Sequence, residues 1–158
     1  MKLHISIVFL LLTTVITANA QLTDEPGLYR KYDSSLATLQ LATLPGKTKT
    51  VYSKNSYVRA KTIQSLIDQC GLFYENRFPE VRFTAQLLIL NVEDFNTVLF
   101  PLGKVPYGMP FNILKRNLIV VGADKKAMSD NSPDSVLSDW DYTAVHELGH
   151  IFWNREKN

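Results

Sequence analysis

One short stretch constrains the fold of this chain more than any other: His146-Glu147-Leu148-Gly149-His150, a His-Glu-x-x-His pattern. Residues four apart in an α-helix differ by about 400° of rotation, so His146 and His150 project from one face about one turn apart. Two imidazole nitrogens at that spacing can bind one zinc ion, with Glu147 beside the metal as a general base. The pattern therefore predicts a helix with His146 and His150 as metal ligands and Glu147 as the catalytic residue.

The residues around the motif favour a helix that is packed against the rest of the protein. They are apolar or small: Val145, Leu148, Gly149, Ile151 and Phe152. Two imidazoles and a carboxylate beside such a surface need polar partners, and a metal ion with its bound water supplies them. The alternative is a surface helix whose histidines and glutamate have no joint role.

Composition narrows the class of protein. The 158 residues are 46% hydrophobic, which indicates one globular domain with a core of its own. A net charge of +2 gives no support for nucleic-acid binding. Cys70 is the single cysteine, so no intrachain disulfide forms within these residues. Cys70 lies on the apolar stripe of a predicted helix, where a buried core residue is favoured over a zinc ligand.

Residues 1–20 have the features of a secretory signal peptide. Ile5 to Ala18 is almost entirely apolar, and Ala18-Asn19-Ala20 is an A-x-A cleavage site, so the mature chain is expected to begin at Gln21. The alternative is an uncleaved membrane anchor, for which the apolar run is short. We expect export to the periplasm or the extracellular space, without stable membrane insertion after cleavage.

Hydrophobic patterning predicts the order of the elements. The polar, turn-rich stretch from Gln21 to Ser35 is expected to be a linker or loosely packed arm, which makes 21–47 an N-terminal arm and 48–158 the folded domain. Leu36 to Leu44 fits a strand or a short helix equally well. The remaining patterns predict strands at Lys47–Ser53, Val81–Asn91 and Asn117–Gly122, helices at Ser56–Arg77, Glu93–Leu99 and Tyr142–Lys157, and a loop at Phe100–Pro110. Asp139 or Asp141 is expected to cap the last helix.

That order predicts an α+β domain: a small mixed sheet with a long helix and a C-terminal active-site helix. Together with the motif, it resembles the zincin metallopeptidases, and within them the gluzincin, thermolysin-like group. The resemblance covers about Thr48 to Asn158, and its specific part is the five-residue motif. It implies that Asn117–Gly122 is the sheet edge that pairs with an extended substrate, while a plain core strand is the alternative.

The resemblance and the chemistry of the motif imply the same reaction, zinc-dependent hydrolysis of a peptide bond in a peptide or protein substrate. Zinc held by His146 and His150 would activate a water molecule and polarise the substrate carbonyl. Glu147 would take the proton of that water and pass it to the leaving amine. The alternative is a non-catalytic metal-binding or interaction domain in which the zincin site is incomplete.

The third zinc ligand is not evident from the sequence. Metzincins carry a glycine and a third histidine where this chain has Trp153 and Glu156. On a continuing helix, Glu156 is turned about 240° from His150, so it is a weak candidate. Asn154 lies on the correct face, but a neutral amide is a poor zinc ligand. Gluzincins take this ligand from a glutamate on a following helix, which implies a position beyond Asn158 and a chain that is C-terminally incomplete.

Two further observations limit the interpretation. His4 leaves with the signal peptide, so both histidines of the mature chain belong to the motif and a third histidine ligand within it is excluded. Gly108-Met109-Pro110-Phe111-Asn112 lies about where gluzincin aminopeptidases carry Gly-x-Met-Glu-Asn. The glutamate that would hold a free amine is missing, so aminopeptidase specificity is not expected, and a turn before a strand is favoured.

Overall fold

A mixed five-stranded β-sheet forms the centre of the fold. The structure, a computed structural model, describes residues 26–80, 82, 84–124 and 139–155. The strands are β1 (Leu41–Leu44), β2 (Lys49–Ser53), β3 (Gln86–Leu90), β4 (Phe111–Ile113) and β5 (Leu118–Gly122). They lie in the order β1-β2-β3-β5-β4; β2, β3 and β5 are parallel, whereas β1 and β4 run antiparallel to their neighbours. The predicted α+β class with a mixed sheet is confirmed.

Helices cover both faces of this sheet. They are α1 (Pro26–Ala37), α2 (Tyr57–Arg77), α3 (Val92–Thr97) and α4 (Asp139–Arg155), with a 3-10 turn at Leu114–Arg116. The predicted long helix is confirmed as α2, the short helix as α3 and the motif helix as α4. The predicted signal peptide and the residues beyond Arg155 lie outside the described ranges.

Period-two alternation of the strand residues divides the core into two clusters. In β3, Leu87 and Ile89 face α2 and α4, whereas Leu88 and Leu90 face α1 and α3. The first cluster adds residues of β5 and the two long helices: Ile119, Val121, Ile63, Ile67, Ala144, Leu148, Ile151 and Phe152. The motif helix thus packs on the same face of the sheet as α2. Its polar motif residues must therefore lie on the sides of the helix that do not contact the core.

The sheet-edge role that the resemblance implied for Asn117–Gly122 is wrong, and the alternative, a plain core strand, is confirmed. Strand β5 lies inside the sheet, between β3 and β4, and its residues Ile119, Val120 and Val121 are fully buried. A strand that is apolar on both faces belongs in the interior of a sheet, which is the physical reason for this position. The edge beside the motif helix is β4, which the sequence analysis treated as a turn and the approach to a strand.

The N-terminal segment is also packed more tightly than predicted. Instead of a loose arm, residues from Pro26 onward form α1, with Pro26 as the first helical residue, where its missing N–H costs nothing. Tyr29, Tyr32 and Leu36 recur at helical spacing and pack on the second core cluster, and Tyr32 is only 3% exposed. The ambiguous stretch that follows contains the end of α1 and all of β1.

A buried ion pair joins the start of α4 to the start of α2. The Arg59 guanidinium donates through Nη1 to Asp141 Oδ2 at 2.6 Å and through Nη2 to Asp141 Oδ1. Asp141 is fully buried. Asp141 lies within α4 and faces α2, so it does not cap the helix; the other predicted cap, Asp139, is the first residue of α4 that the structure describes. The pair holds the first turns of the motif helix against α2.

Candidate metal centre

The packing of α4 determines which motif residues face solvent. Its buried residues recur every three or four positions: Asp141, Ala144, Leu148, Ile151 and Phe152. Leu148, in the middle of the motif, is therefore the residue that anchors it to the core. The His146 and His150 side chains lie on the exposed side, and Glu147 is half-buried between the two sides.

Gly149 and an aromatic stack bring the motif close to α2. A Cβ atom at Gly149 would lie 3.4 Å from the Tyr74 hydroxyl oxygen, at the limit of ordinary van der Waals contact. One helical turn along, the Phe152 ring stacks on Tyr74 with centroids 4.5 Å apart and planes tilted by 23°. This contact fixes the depth and rotation of α4, and therefore the direction of the two imidazoles.

The two histidines converge on one point in space. Their Nε2 atoms are 2.9 Å apart, and the ring planes are perpendicular with centroids at 4.5 Å. One ligand atom from each of His146, Glu147 and His150 lies within 4.8 Å of the others. Among the residues that the structure describes, this is the one group of three or more potential metal-binding side chains that was found.

The spacing of the nitrogens fits a zinc ion. Two imidazole nitrogens, each about 2.05 Å from zinc at the tetrahedral angle, lie about 3.3 Å apart. The observed 2.9 Å separation of the His146 and His150 nitrogens needs only a small side-chain adjustment to reach that value. Neutral imidazoles are ligands that zinc prefers, and the exposed position of both rings leaves room for a water molecule or a substrate.

Glu147 has a partner that the sequence analysis did not anticipate. Asn112 Nδ2 donates a hydrogen bond to Glu147 Oε2. Asn112 is the middle residue of β4, and its neighbours Phe111 and Ile113 are buried in the core cluster on the opposite face. Strand alternation therefore directs Asn112 to the face that carries α4. The apolar-polar-apolar order Phe-Asn-Ile was the available sequence signal, but it is too short to predict a strand.

Of the other residues considered as ligands, Cys70 does not join this centre. Cys70 is half-buried against the first core cluster, and burial raises the pKa of its thiol, in agreement with the predicted core role. Glu156 lies outside the described residues. Trp153 and Asn154 are exposed on α4. The described residues thus bring together two histidines and a neighbouring carboxylate.

Comparison with known proteins adds no family assignment. A scan against protein-family models and searches of curated proteins and of solved structures found no match to this chain. None of the helices in the described part of the chain is long and apolar enough to cross a membrane. The function must therefore be argued from the motif and its geometry alone.

Proposed function

We propose that the chain is an exported zinc-dependent peptidase of zincin type that hydrolyses peptide bonds in a peptide or protein substrate. The observation that carries this proposal is the convergence of His146 and His150, with nitrogens 2.9 Å apart and the Glu147 carboxylate beside them. If the His-Glu-x-x-His pattern had arisen by chance, there would be no reason to find it on a helix that packs on a sheet and directs both imidazoles outward.

Each of the three residues has a defined role in the proposal. Zinc bound there would lower the pKa of a bound water molecule toward ~7 and polarise the scissile carbonyl. His146 and His150 would hold the ion through ring nitrogens, so both imidazoles would have to be neutral. Glu147, half-buried next to them, accepts a proton from the attacking water and delivers it to the leaving amine.

The open edge of the sheet offers a place for the substrate. Among the strands that the structure describes, β4 pairs with β5 alone and lies at the end of the sheet next to α4. An extended peptide could add to this edge through main-chain hydrogen bonds, which would place its backbone beside the Glu147 carboxylate. This assigns to β4 the substrate-pairing role that the resemblance had suggested for Asn117–Gly122.

A second candidate function is a non-catalytic metal-binding or interaction domain. The observation that favours it is the size of the ligand group: if Glu147 serves as the base, the described residues leave two ligands, and a catalytic zinc site has three. In that case the ion would bind weakly, and the exposed imidazoles would serve a partner rather than a reaction.

Glu147→Gln tests the proposed function, with Glu80→Gln as a matched control at an exposed glutamate away from the motif. We expect zinc content to be retained in both variants and peptide hydrolysis to fall by about 10²- to 10⁴-fold in Glu147→Gln only, since the general base is lost. Zinc is measured by plasma mass spectrometry after dialysis, and hydrolysis with a quenched fluorescent peptide library.

Two results would speak against the peptidase. Unchanged hydrolysis in Glu147→Gln would remove the general base from the mechanism. Weak zinc binding by the wild-type protein, with no hydrolysis of any library peptide by it, would favour the non-catalytic domain.

A further inference from the structure

The Glu147 carboxylate is held by a residue from a different element. Asn112 belongs to the edge strand β4, thirty-five positions before Glu147 in the chain, and donates through Nδ2 to Glu147 Oε2. A carboxylate only accepts hydrogen bonds, so the amide nitrogen of Asn112, not its oxygen, must face Glu147. Both side chains are half-buried, which protects the contact from full competition by water.

The backbone of Asn112 is well placed to fix that carboxylate. Asn112 pairs with Ile119 in the antiparallel ladder between β4 and β5, and Ile119 is fully buried. The side chains on either side of Asn112, Phe111 and Ile113, are anchored in the second core cluster. The donor therefore stands on a rigid strand, whereas a glutamate side chain on a helix surface has several rotamers of similar energy.

We propose that Asn112 is a positioning residue that holds the Glu147 carboxylate in the orientation required of a general base. The inference rests on the proposed function, because Glu147 acts as a general base only if the site catalyses hydrolysis. A glutamate beside two histidines could also turn toward the ion and bind it. The hydrogen bond from Asn112 on β4 directs Oε2 toward the sheet. The carboxylate is therefore held beside the imidazoles, where it can act as a base, and is not free to turn toward the ion.

The first arm of the test measures the contact itself, by NMR of side-chain amides in the ¹⁵N-labelled full chain. The Asn112 amide pair is assigned by its disappearance in Asn112→Ala. In Glu147→Ala, we expect this pair to move upfield because its charged acceptor is lost, whereas Glu80→Ala leaves it unchanged. An Asn112 pair at the same position in Glu147→Ala and in the wild type would overturn the proposal.

The second arm measures the consequence for hydrolysis. Asn112→Ala is expected to lower kcat by about tenfold or more, with KM and zinc content nearly unchanged, because the positioned base acts in the chemical step. Asn112→Asp should cost more, since it sets a second carboxylate against Glu147. Asn76→Ala, at an exposed asparagine on α2, is the control and should leave both kinetic constants unchanged.

The outcomes separate this inference from the proposed function. If Glu147→Gln abolishes hydrolysis while Asn112→Ala retains full kcat, the positioning role is wrong and the peptidase stands. A rise in KM alone would make Asn112 a substrate contact instead and would also overturn the positioning role. If Glu147→Gln remains active, the peptidase assignment fails, and the amide resonances still decide whether Asn112 holds the carboxylate.

Should Asn112→Ala fail to fold, the near-isosteric Asn112→Asp and the amide shift in Glu147→Ala carry the test.

Discussion

Tyr32 shows how a single residue reports on the packing of α1. Its ring is 3% exposed and packs beside Phe100 with centroids 6.2 Å apart, and its buried hydroxyl has no hydrogen-bond partner among the described residues. Burial raises the pKa of Tyr32 from 10.0 to about 12, with a smaller contribution in the same direction from the nearby Asp33 carboxylate. An unbonded polar group in the core costs about 1–3 kcal/mol of stability.

Tyr32→Phe should therefore stabilise the protein. At neutral pH we expect a gain of about 1 kcal/mol in the free energy of unfolding, because the unsatisfied hydroxyl is removed while the ring remains. Because the pKa of Tyr32 is higher in the folded state than in the unfolded state, ionisation of this tyrosine favours unfolding. The stability of the wild-type protein should therefore fall as the pH rises from 10.0 to about 12, and the advantage of Phe should grow in this interval. Urea unfolding at pH 7 and above pH 10 measures both effects.

The matched control for Tyr32→Phe is Tyr57→Phe, at a tyrosine that is 49% exposed. Its hydroxyl is solvated in the folded and unfolded states, so the substitution should change stability by less than about 0.5 kcal/mol. A loss of stability in Tyr32→Phe would show that the hydroxyl has a partner in the folded protein and would contradict the prediction.

At the scale of elements, the Arg59–Asp141 pair holds the N-terminal part of the motif helix against α2. Asp141 is fully buried and lies five positions before His146, so an error in its placement would be transmitted along one and a half turns of α4 to the ligands. Both Asp141 oxygens accept from the guanidinium, a two-point contact that fixes orientation as well as distance.

Removing one partner of this pair should be strongly destabilising. Arg59→Leu is expected to lower the free energy of unfolding by about 3–5 kcal/mol, since it leaves the Asp141 carboxylate buried without its bidentate cation. The control is Lys47→Met at the surface pair Lys47–Glu75, where a loss of about 0–1 kcal/mol is expected. Urea denaturation of both variants provides the comparison, and an equal loss in the two would contradict the special role of the buried pair.

For the whole molecule, the proposed metal centre predicts a link between zinc binding and folding. The two histidine nitrogens converge only when α4 is helical, so zinc bound as proposed would favour the folded state over the unfolded chain. The same ion would then stabilise the helix, its contact with β4 through Asn112, and the sheet beneath it. This coupling can be measured without any knowledge of the substrate.

Zinc should raise the melting temperature of the wild-type protein. At a free zinc concentration of about 100 times Kd, the expected stabilisation is about 2.7 kcal/mol, or about 5–11 °C for a chain of this size. Addition of EDTA should reverse the shift. A His146→Ala/His150→Ala double variant should show no shift with zinc, and an equal rise in that variant would place the binding elsewhere.

Much of the fold and part of the site followed from patterns that are local in the chain. The apolar stripe of α2, the apolar run of β3 and the motif spacing on α4 depend on helix and strand geometry over a few neighbouring residues, so they were predicted correctly. His146, Glu147 and His150 come together for the same reason, because four residues of one helix set their spacing. The strand β4 and the helix α1 were missed: β4 is three residues long, and Pro26-Gly27 at the start of α1 resembles a break.

Features that join distant parts of the chain required the three-dimensional structure. The position of a strand in the sheet depends on its pairing with strands that are distant in the sequence. Strand β5 lies in the interior because both of its faces are apolar. Asn112 reaches Glu147 only because β4 pairs with β5 in one register, which turns its middle residue toward α4. Local geometry thus accounts for the pair of histidines, whereas the partner of the carboxylate beside them depends on packing between residues far apart in the sequence.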